Sequence, residues 1–312
     1  LAINNIQHPI DAVILWVDGN DKNHQEKMSQ YLEKTVNINS TKIRTRYDQV
    51  NEIKFTVDSI LKYASYIRNI YIITDNQTPD FLKLNTTNLY KSVTIIDHKT
   101  IFNGYEEFLP TFNSISIETL MFRIPKLAEH FIYLNDDFFL INKTEPTDFF
   151  KEGFPVLRGK WINLDKNIFY KKFIKPRNGH KAAQQRAAQM VGFNKYYNFK
   201  HTPHPFRKST FETYLKNNER VFVKNIDYKF RSNDQFLLQS LINHLEIKNK
   251  TCILKKNLQL KYFRSYKKPL LWYKFKLNLE HPKKLFLGLQ SLDRCPQNKL
   301  DYIIEWLENR IG

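Results

Sequence analysis

The chain has 312 residues, enough to bury a large core, and its 42% hydrophobic content is that of an ordinary globular protein. Forty-nine Lys and Arg against 31 Asp and Glu give a formal charge of +18. That field favours anionic partners: nucleic acid, an anionic membrane leaflet, a nucleotide-sugar or a phosphate-bearing glycan. Charge alone does not choose among them, and an AT-rich genome would write the same lysines. Only eight glycines occur, and the Gly-rich dinucleotide and P-loop signatures are absent, so those two phosphate-binding solutions lose their main support. The two cysteines, Cys252 and Cys295, have no metal-ligand spacing and indicate no disulfide framework, so a reduced, cytosolic setting is the default. No apolar run reaches the length of a transmembrane helix, and the N-terminal one lacks a signal-peptide flank.

In chain order, Ile10 to Val17 reads as a buried strand ending in the acidic turn Asp18-Gly19-Asn20-Asp21. Asn23 to Val36 reads as a polar helix. A basic cluster, Lys42, Arg44 and Arg46, precedes a helix from about Asp48 to Ala64, with Asp48 as N-cap and Ile53, Val57, Ile60 and Leu61 at helical spacing. Ile70 to Thr74 and Val93 to Ile96 are strands. Leu109 to Ser114 is a loop in which Ser114 is placed to cap the next helix, and Phe131 to Leu134 is the fourth strand. Strands alternating with helices predict an α/β fold with a mainly parallel sheet and crossover helices. Past about Phe150 the alternation weakens. Helices are expected at Ala182 to Val191, Lys208 to Asn217, Asn233 to His244 and Asn298 to Asn309, with strand-like pieces and a basic aromatic segment, Tyr262 to Lys276, between the last two.

Four clusters could carry chemistry. In HFIYLNDDFFL, His130 to Leu140, an apolar strand runs into Asn135-Asp136-Asp137. Two carboxylates at the end of a buried strand are costly unless a cation compensates them. Ligands of open α/β sheets gather at such strand ends, and hard carboxylate oxygens suit Mg²⁺ or Mn²⁺. The alternative is a hydrated turn. Trp16 to Asp21 is the second cluster, with Gly19 allowing a tight turn and Asp18 at the sheet edge. The third, Arg44, Arg46, Asp48, Asn51 and Glu52, holds arginines able to grip a diphosphate, or is a solvated helix entry. The fourth joins His201-Thr-Pro-His204-Pro to Arg231-Ser-Asn-Asp234. Its prolines are expected to hold the histidines out of helix and strand, where one can act as a base near neutral pH. Arg231 could neutralise a phosphoryl oxygen, and Asp234 could orient a histidine or bind metal. His180, His244 and His281 are assigned structural roles.

Together these segments resemble the Stealth family of sugar-1-phosphate transferases, which includes bacterial capsule polymerases and N-acetylglucosamine-1-phosphotransferase. IDAVILWVDGND at Ile10 to Asp21 is similar to its first region. RYDQVNEIKFTVDSI, IRNIYIITDNQTPDFL, LPTFNSISIE and IPKLAEHFIYLNDDFFL, in order from Arg46 to Leu140, are similar to its second. HTPHPFRKS at His201 to Ser209 resembles the third. Leu287 to Asp293 is only a degraded match to the fourth, with Gln290 and Ser291 where an amide and an acid are expected.

The resemblance implies a GT-A/Rossmann-like core with a less regular C-terminal half packed onto it. Residues 1–150 would bind the nucleotide-sugar, and residues 151–312 would complete catalysis and bind the acceptor, as one integrated unit. It implies a reaction in which a UDP-N-acetylhexosamine gives its sugar-1-phosphate to a glycan hydroxyl and UMP leaves. His201, or alternatively His204, would be the base, and Arg231 would stabilise the phosphoryl group. Asp136, Asp137 and Asp234 would hold Mg²⁺ or Mn²⁺. Trp16, Asp18, Gly19 and Arg46 would form the nucleotide end, and Glu52, Asn113, Ser114 and Asn135 would line the donor site around the sugar. The setting would be cytoplasmic, with peripheral association at the anionic inner face of the plasma membrane, no nucleic-acid partner and an open oligomeric state. Two rivals stand beside it: a metal-dependent GT-A-like glycosyltransferase that releases UDP, and a basic nucleic-acid-binding protein.

Overall fold

The computed structural model describes residues 8–32, 50–84, 88–168, 179–200, 202–280 and 283–312. They form a mixed α/β protein with a parallel-rich central sheet, as the alternation of elements predicts. The residues fall into two compact units. One takes the described residues up to Val13 together with Ile96–Tyr133 and Pro146–Leu258. The other takes Ile14–Ile95, Leu134–Glu145 and Gln259–Gly312.

In the first unit the start of β1 (Ile10–Leu15), β4 (His130–Asn135) and β10 (His204–Arg207) are neighbours, with β10 antiparallel to β4 and His204 opposite Tyr133. Both β1 and β4 are buried along nearly their whole length, which the apolar runs Ala12 to Leu15 and Phe131 to Leu134 require. Asp11, fully buried within β1, is matched by the Ala128 N–H at 2.7 Å. The helix α3 (Ser114–Leu120) precedes β4. Beyond it the strands are short. Residues 150–151 are β6, Phe154–Arg158 β7, Lys160–Asn163 β8, Lys195–Asn198 β9 and Ile253–Lys255 β11, paired as β11-β7-β6 and β8-β9. The helices here are α4 (His180–Met190), α5 (Lys208–Asn217), α6 (Glu219–Ile226) and α7 (Leu238–Asn249).

In the second unit the end of β1 neighbours β2 (Ile67–Thr74), which neighbours β3 (Val93–Asp97). The longer helices are α1 (Lys22–Ser29), α2 (Glu52–Tyr63), α8 (Leu270–Asn278) and α9 (Gln297–Ile311). A second sheet, β12 (Leu260–Phe263), β13 (Phe286–Leu289) and β5 (Phe138–Leu140), has β13 in the middle. Under it lies an apolar cluster built from Phe55, Phe139, Tyr273, Leu277, Leu287 and Leu289, with Ile303, Leu307 and Ile311 at four-residue steps on α9. Gly288 passes between two rings. A Cβ there would stand 2.7 Å from the Tyr262 ring and 2.9 Å from Phe138. Gly288→Ala is therefore expected to cost about 1–3 kcal/mol by overpacking, read as a lower denaturation midpoint; an unchanged midpoint would show that the rings yield freely.

Several elements depart from the sequence expectations. α1 stops at Ser29 rather than Val36, because it buries only His24 and Met28 and has no apolar stripe to extend. α2 starts at Glu52 behind Asn51, whose φ of 65° is left-handed; Asp48, the expected cap, lies outside the described residues. Asn113, not Ser114, caps α3, its side chain accepting the Ile115 N–H. The helix expected from Asn233 begins at Leu238. His204 is in a strand, contrary to the reading that its prolines keep it out of one: β10 lies at the edge of its ladder, where a proline's missing N–H is tolerated. His244 is structural, as expected: it is buried on α7 and its Nε2 accepts the Tyr197 N–H at 2.9 Å. Cys252 and Cys295 are unbridged.

Candidate functional site

The acidic turn sits in the second unit. After Asn135 the chain turns through Asp136-Asp137 and enters β5 at once. Two elements clamp the turn by its backbone. The Thr56 hydroxyl on α2 donates to the Asp136 carbonyl at 2.5 Å, and the Leu289 N–H on β13 donates to the Asp137 carbonyl at 3.1 Å. With both carbonyls taken, the carboxylates are the groups left to act. They are partly exposed, yet Asp137 Oδ1 is sealed from water and has no hydrogen-bond partner among the described residues.

Glu52 joins them from the first turn of α2. It is 6% exposed, and its Oε2 accepts the Val50 N–H at 2.5 Å. Burial pushes its carboxyl up to about 7, and the charges of Asp136 and Asp293 push the same way. Burial also raises Asp136 and Asp137; the charge of Asp137 adds to the first and that of Glu52 to the second. Tyr266, whose buried hydroxyl has no hydrogen-bond partner among the described residues, has its phenol driven far up by burial, with Cys295, Asp137 and Glu52 adding. Tyr262 donates to Gln290 Oε1 at 2.8 Å, and its phenol is pushed up to about 12 by burial and by Asp137.

This is the signature of anions gathered without enough compensation, and such a cluster holds protons or a cation. Among the described residues no three of His, Cys, Asp and Glu are arranged to cage a metal by themselves. The donor set fits a different mode: Mg²⁺ is ordinarily held by one or two carboxylates together with water and substrate phosphates. Asp136 and Asp137, with one oxygen already dry and unsatisfied, fit that role.

The same unit contains a cleft of about 210 Å³ lined by Trp16, Asp18, Asn51, Asn76, Gln77 and Lys83, among others. Gln77 lines it from a nearly buried position. Its Oε1 accepts the Asp18 N–H at 2.9 Å and its Nε2 donates to the Asp18 carbonyl at 3.0 Å. The Gly19 carbonyl is taken by Gln25 Nε2 at 2.7 Å. Asp21 caps α1 through the His24 N–H, a bond that holds its carboxyl below the usual range. Trp16 is nearly buried and its indole N–H has no hydrogen-bond partner among the described residues. The cleft reaches Asn51, the residue next to Glu52 in the chain. Arg46, expected at the nucleotide end, lies outside the described residues.

The first unit gathers Asn113, Ser114, Arg231 and Asp234. Arg231 Nη2 donates to the Ser114 hydroxyl at 2.7 Å. Asn113 is fully buried and its amide is spent inside: Nδ2 donates to the Tyr228 carbonyl at 3.1 Å and to Gln235 Oε1 at 2.9 Å. It therefore holds the loop carrying Arg231. Gln235 is the hub. Its Oε1 also accepts the Ser232 N–H at 2.9 Å, and its Nε2 donates to the Asn225 carbonyl at 2.8 Å. Asp234 is exposed, in a turn where its N–H donates to Ser232 Oγ at 3.2 Å. His204 is partly exposed on β10, with its ring stacked on Phe206 at 5.9 Å. His201 lies outside the described residues.

The family model for Stealth protein conserved region 1 matches residues 8–36, and that for conserved region 2 matches residues 46–157. The chain belongs to the Stealth family. A capsular polysaccharide phosphotransferase of Actinobacillus pleuropneumoniae, cps1A, is 34% identical over 242 residues, 73% of this chain and 62% of its own length. LcbA of Neisseria meningitidis, also named a capsular polysaccharide phosphotransferase, is 32% identical over 246 residues, 77% of this chain and 65% of its own. The chain thus spans less than two thirds of the length of these relatives. Among solved structures, the galactosyltransferase LgtC aligns over 96% of each chain at 10% identity with a TM-score of 0.49.

Reading the sequence alone missed Gln77, Gln235, Tyr262 and Tyr266. Their only signal is position: Gln77 follows β2 and Gln235 follows Asp234. The segment that matched the family poorly still reaches the acidic turn, because Leu289 bonds it and Asp293 acts on Glu52.

Proposed function

We propose that this chain transfers a hexose-1-phosphate, an N-acetylhexosamine-1-phosphate by preference, from a UDP-sugar to a glycan hydroxyl in bacterial surface polysaccharide synthesis. The acceptor oxygen forms a bond to the β-phosphorus, and the bridging bond from that phosphorus to the α-phosphate oxygen breaks. UMP takes the electron pair, and the hydroxyl proton passes to His201. The anomeric C–O bond is never cut, so the configuration at that carbon survives in the phosphodiester. Such a reaction asks for positioning and charge neutralisation rather than covalent catalysis. The observation that carries the reading is the acidic turn: Asp136 and Asp137, raised in pKa and clamped from both sides, within the region that matches the Stealth model.

Asp136 and Asp137 would hold Mg²⁺ or Mn²⁺, which supplies positive charge to the diphosphate when bound. The cleft between Trp16, Asp18 and Gln77 would take the uridine end. Glu52 would lie by the sugar, Asn135 by the diphosphate, and Arg231, steadied by Ser114, would meet the transferring phosphoryl group. Asp234, the third metal ligand that the resemblance implies, is not gathered with the acidic turn into a three-residue cage, and would instead orient the base. His201 is preferred to His204 because the latter is packed into β10 against an aromatic ring.

The test is the released nucleotide. With UDP-N-acetylhexosamine, a divalent cation and a capsular glycan acceptor, the expected products are UMP and a new diester signal in ³¹P NMR. Release of UDP with a new glycosidic bond would overturn the proposal in favour of glycosyl transfer. His201→Ala is expected to lower kcat by about 10²–10⁴ while donor affinity, measured by calorimetry, changes little; a near-normal kcat would remove His201 from the mechanism.

A further inference from the structure

The outer side of α8 has no place in the reaction above. α8 is anchored by Tyr273 and Leu277, one turn apart and buried in the cluster shared with α9. A surface helix seated in this way normally turns polar residues outward. Here Leu271, 77% exposed, Phe275, 60% exposed, and Leu279, 37% exposed, follow one another at four-residue steps along α8 and its C-terminal cap. Trp272 stands beside them, packed on Tyr273 but still partly exposed. The apolar side chains rim a wide, shallow depression with Lys274 and Asn278.

The surroundings are cationic. From Lys261 to Glu280 the chain carries six Lys or Arg and one acidic residue. Arg264, Lys267, Lys268 and Lys274 are exposed, and Lys276 Nζ lies 5.9 Å from the Trp272 ring centre and 5.8 Å from that of Phe275. Lys261 is not part of this set, because its Nζ is taken by the Leu277 and Leu279 carbonyls.

We infer that this face docks the protein on an anionic lipid surface, with Leu271, Phe275 and Leu279 entering the boundary between headgroups and acyl chains while the lysines meet the phosphates. A phosphate-bearing glycan or a nucleic acid would match the lysines but leave Phe275 and Leu271 in water. An apolar protein groove would cover those two and strand the cations. A lipid leaflet answers both requirements, and long lysine stems reach from the apolar plane to the headgroup level. Among the described residues no helix is long and apolar enough to cross a membrane.

The full chain is tested by flotation with vesicles of phosphatidylcholine alone and of phosphatidylcholine with phosphatidylglycerol. Binding to the second and not the first is expected, lowered at least about tenfold in Leu271→Ser/Phe275→Ser and weakened by salt. Both side chains already stand in water, so the double variant should keep the parent's denaturation midpoint. Brominated acyl chains should quench fluorescence in the parent, and Trp272→Phe should remove that quenching. The inference is overturned if the parent binds neither vesicle, if the double variant floats like the parent, or if bound parent shows no quenching. It is also overturned if the double variant abolishes a concentration-dependent dimer in sedimentation, which would give the face to a second copy of the chain.

Discussion

Asp136→Asn is expected to lower turnover by about 10²–10³ and, in the same sample, to make the metal-free protein more stable near pH 8. The two effects share one cause. Glu52, Asp136 and Asp137 are crowded in a poorly solvated place, and each raises the proton affinity of a neighbour. In chelator the folded protein keeps protons on these carboxyls at a pH where the unfolded chain has lost them. The folded state then binds more protons than the unfolded state between the ordinary carboxylate pKa near 4 and the raised value near 7. Stability must fall as pH rises through that window and level off above it. Below the window all the groups are protonated in both states and the penalty vanishes. Removing one charge should return about 1–2 kcal/mol near pH 8, after discounting for the partial exposure of the turn. Denaturation midpoints in chelator at about pH 5 and about pH 8 check the slope, and addition of Mg²⁺ should help the parent most at the higher pH. A flat profile, or a variant less stable than the parent near pH 8, would show that the cluster is not electrostatically loaded. Loss of turnover without a change in metal titration would take Asp136 out of the ligand set.

Gln235→Leu is expected to cost about 2–4 kcal/mol, although Gln235 touches no substrate in the proposed reaction. Its amide closes four bonds at once, to Asn113, Ser232, the Asn225 carbonyl and Ser116. Leucine of similar size would leave those groups buried with fewer partners, and an unsatisfied buried polar group costs more than the bond it lost. The loop from Tyr228 to Phe236 would lose its tie to α3, and Arg231 would lose its fixed place beside Ser114. Turnover should therefore fall with stability, and through kcat more than KM, because a displaced phosphoryl-binding arginine is felt most in the transition state. Guanidinium denaturation and steady-state kinetics on the same preparation check both halves. A variant as stable as the parent would show that the loop is held by other bonds.

The sequence made the acidic turn legible because two carboxylates after four apolar residues have no cheap explanation. The strands of the central sheet were legible for the same reason: Ala12 to Leu15 and Phe131 to Leu134 are apolar without alternation. What could not be read were groups whose role depends on distant partners. Glu52 was placed by the sugar, and nothing near it in sequence announces Asp136 or Asp293. Asn113 looked like a donor ligand because a polar residue in a loop carries no mark of burial, yet it is wholly enclosed. Pro205 argued against a strand at His204 because edge position is a property of the sheet and not of the segment. Tyr262 to Lys276 read only as basic and aromatic; its division into β12 and α8, and hence which rings face outward, follows from the packing of Tyr273 and Leu277.

The antiparallel ladder between β13 and β5 has a consequence for inheritance. Phe286, Leu287 and Gly288 register with Leu140, Phe139 and Phe138, and the next amide bonds the turn itself. The carboxylates and their seat thus come from stretches about 150 residues apart in the chain. A chimaera joining the first half of one relative to the last quarter of another would carry the acids over but mismatch the strand that aims them. Homologous exchange should then yield active hybrids only when both stretches travel together, and the residues facing Gly288 should drift in concert across lineages.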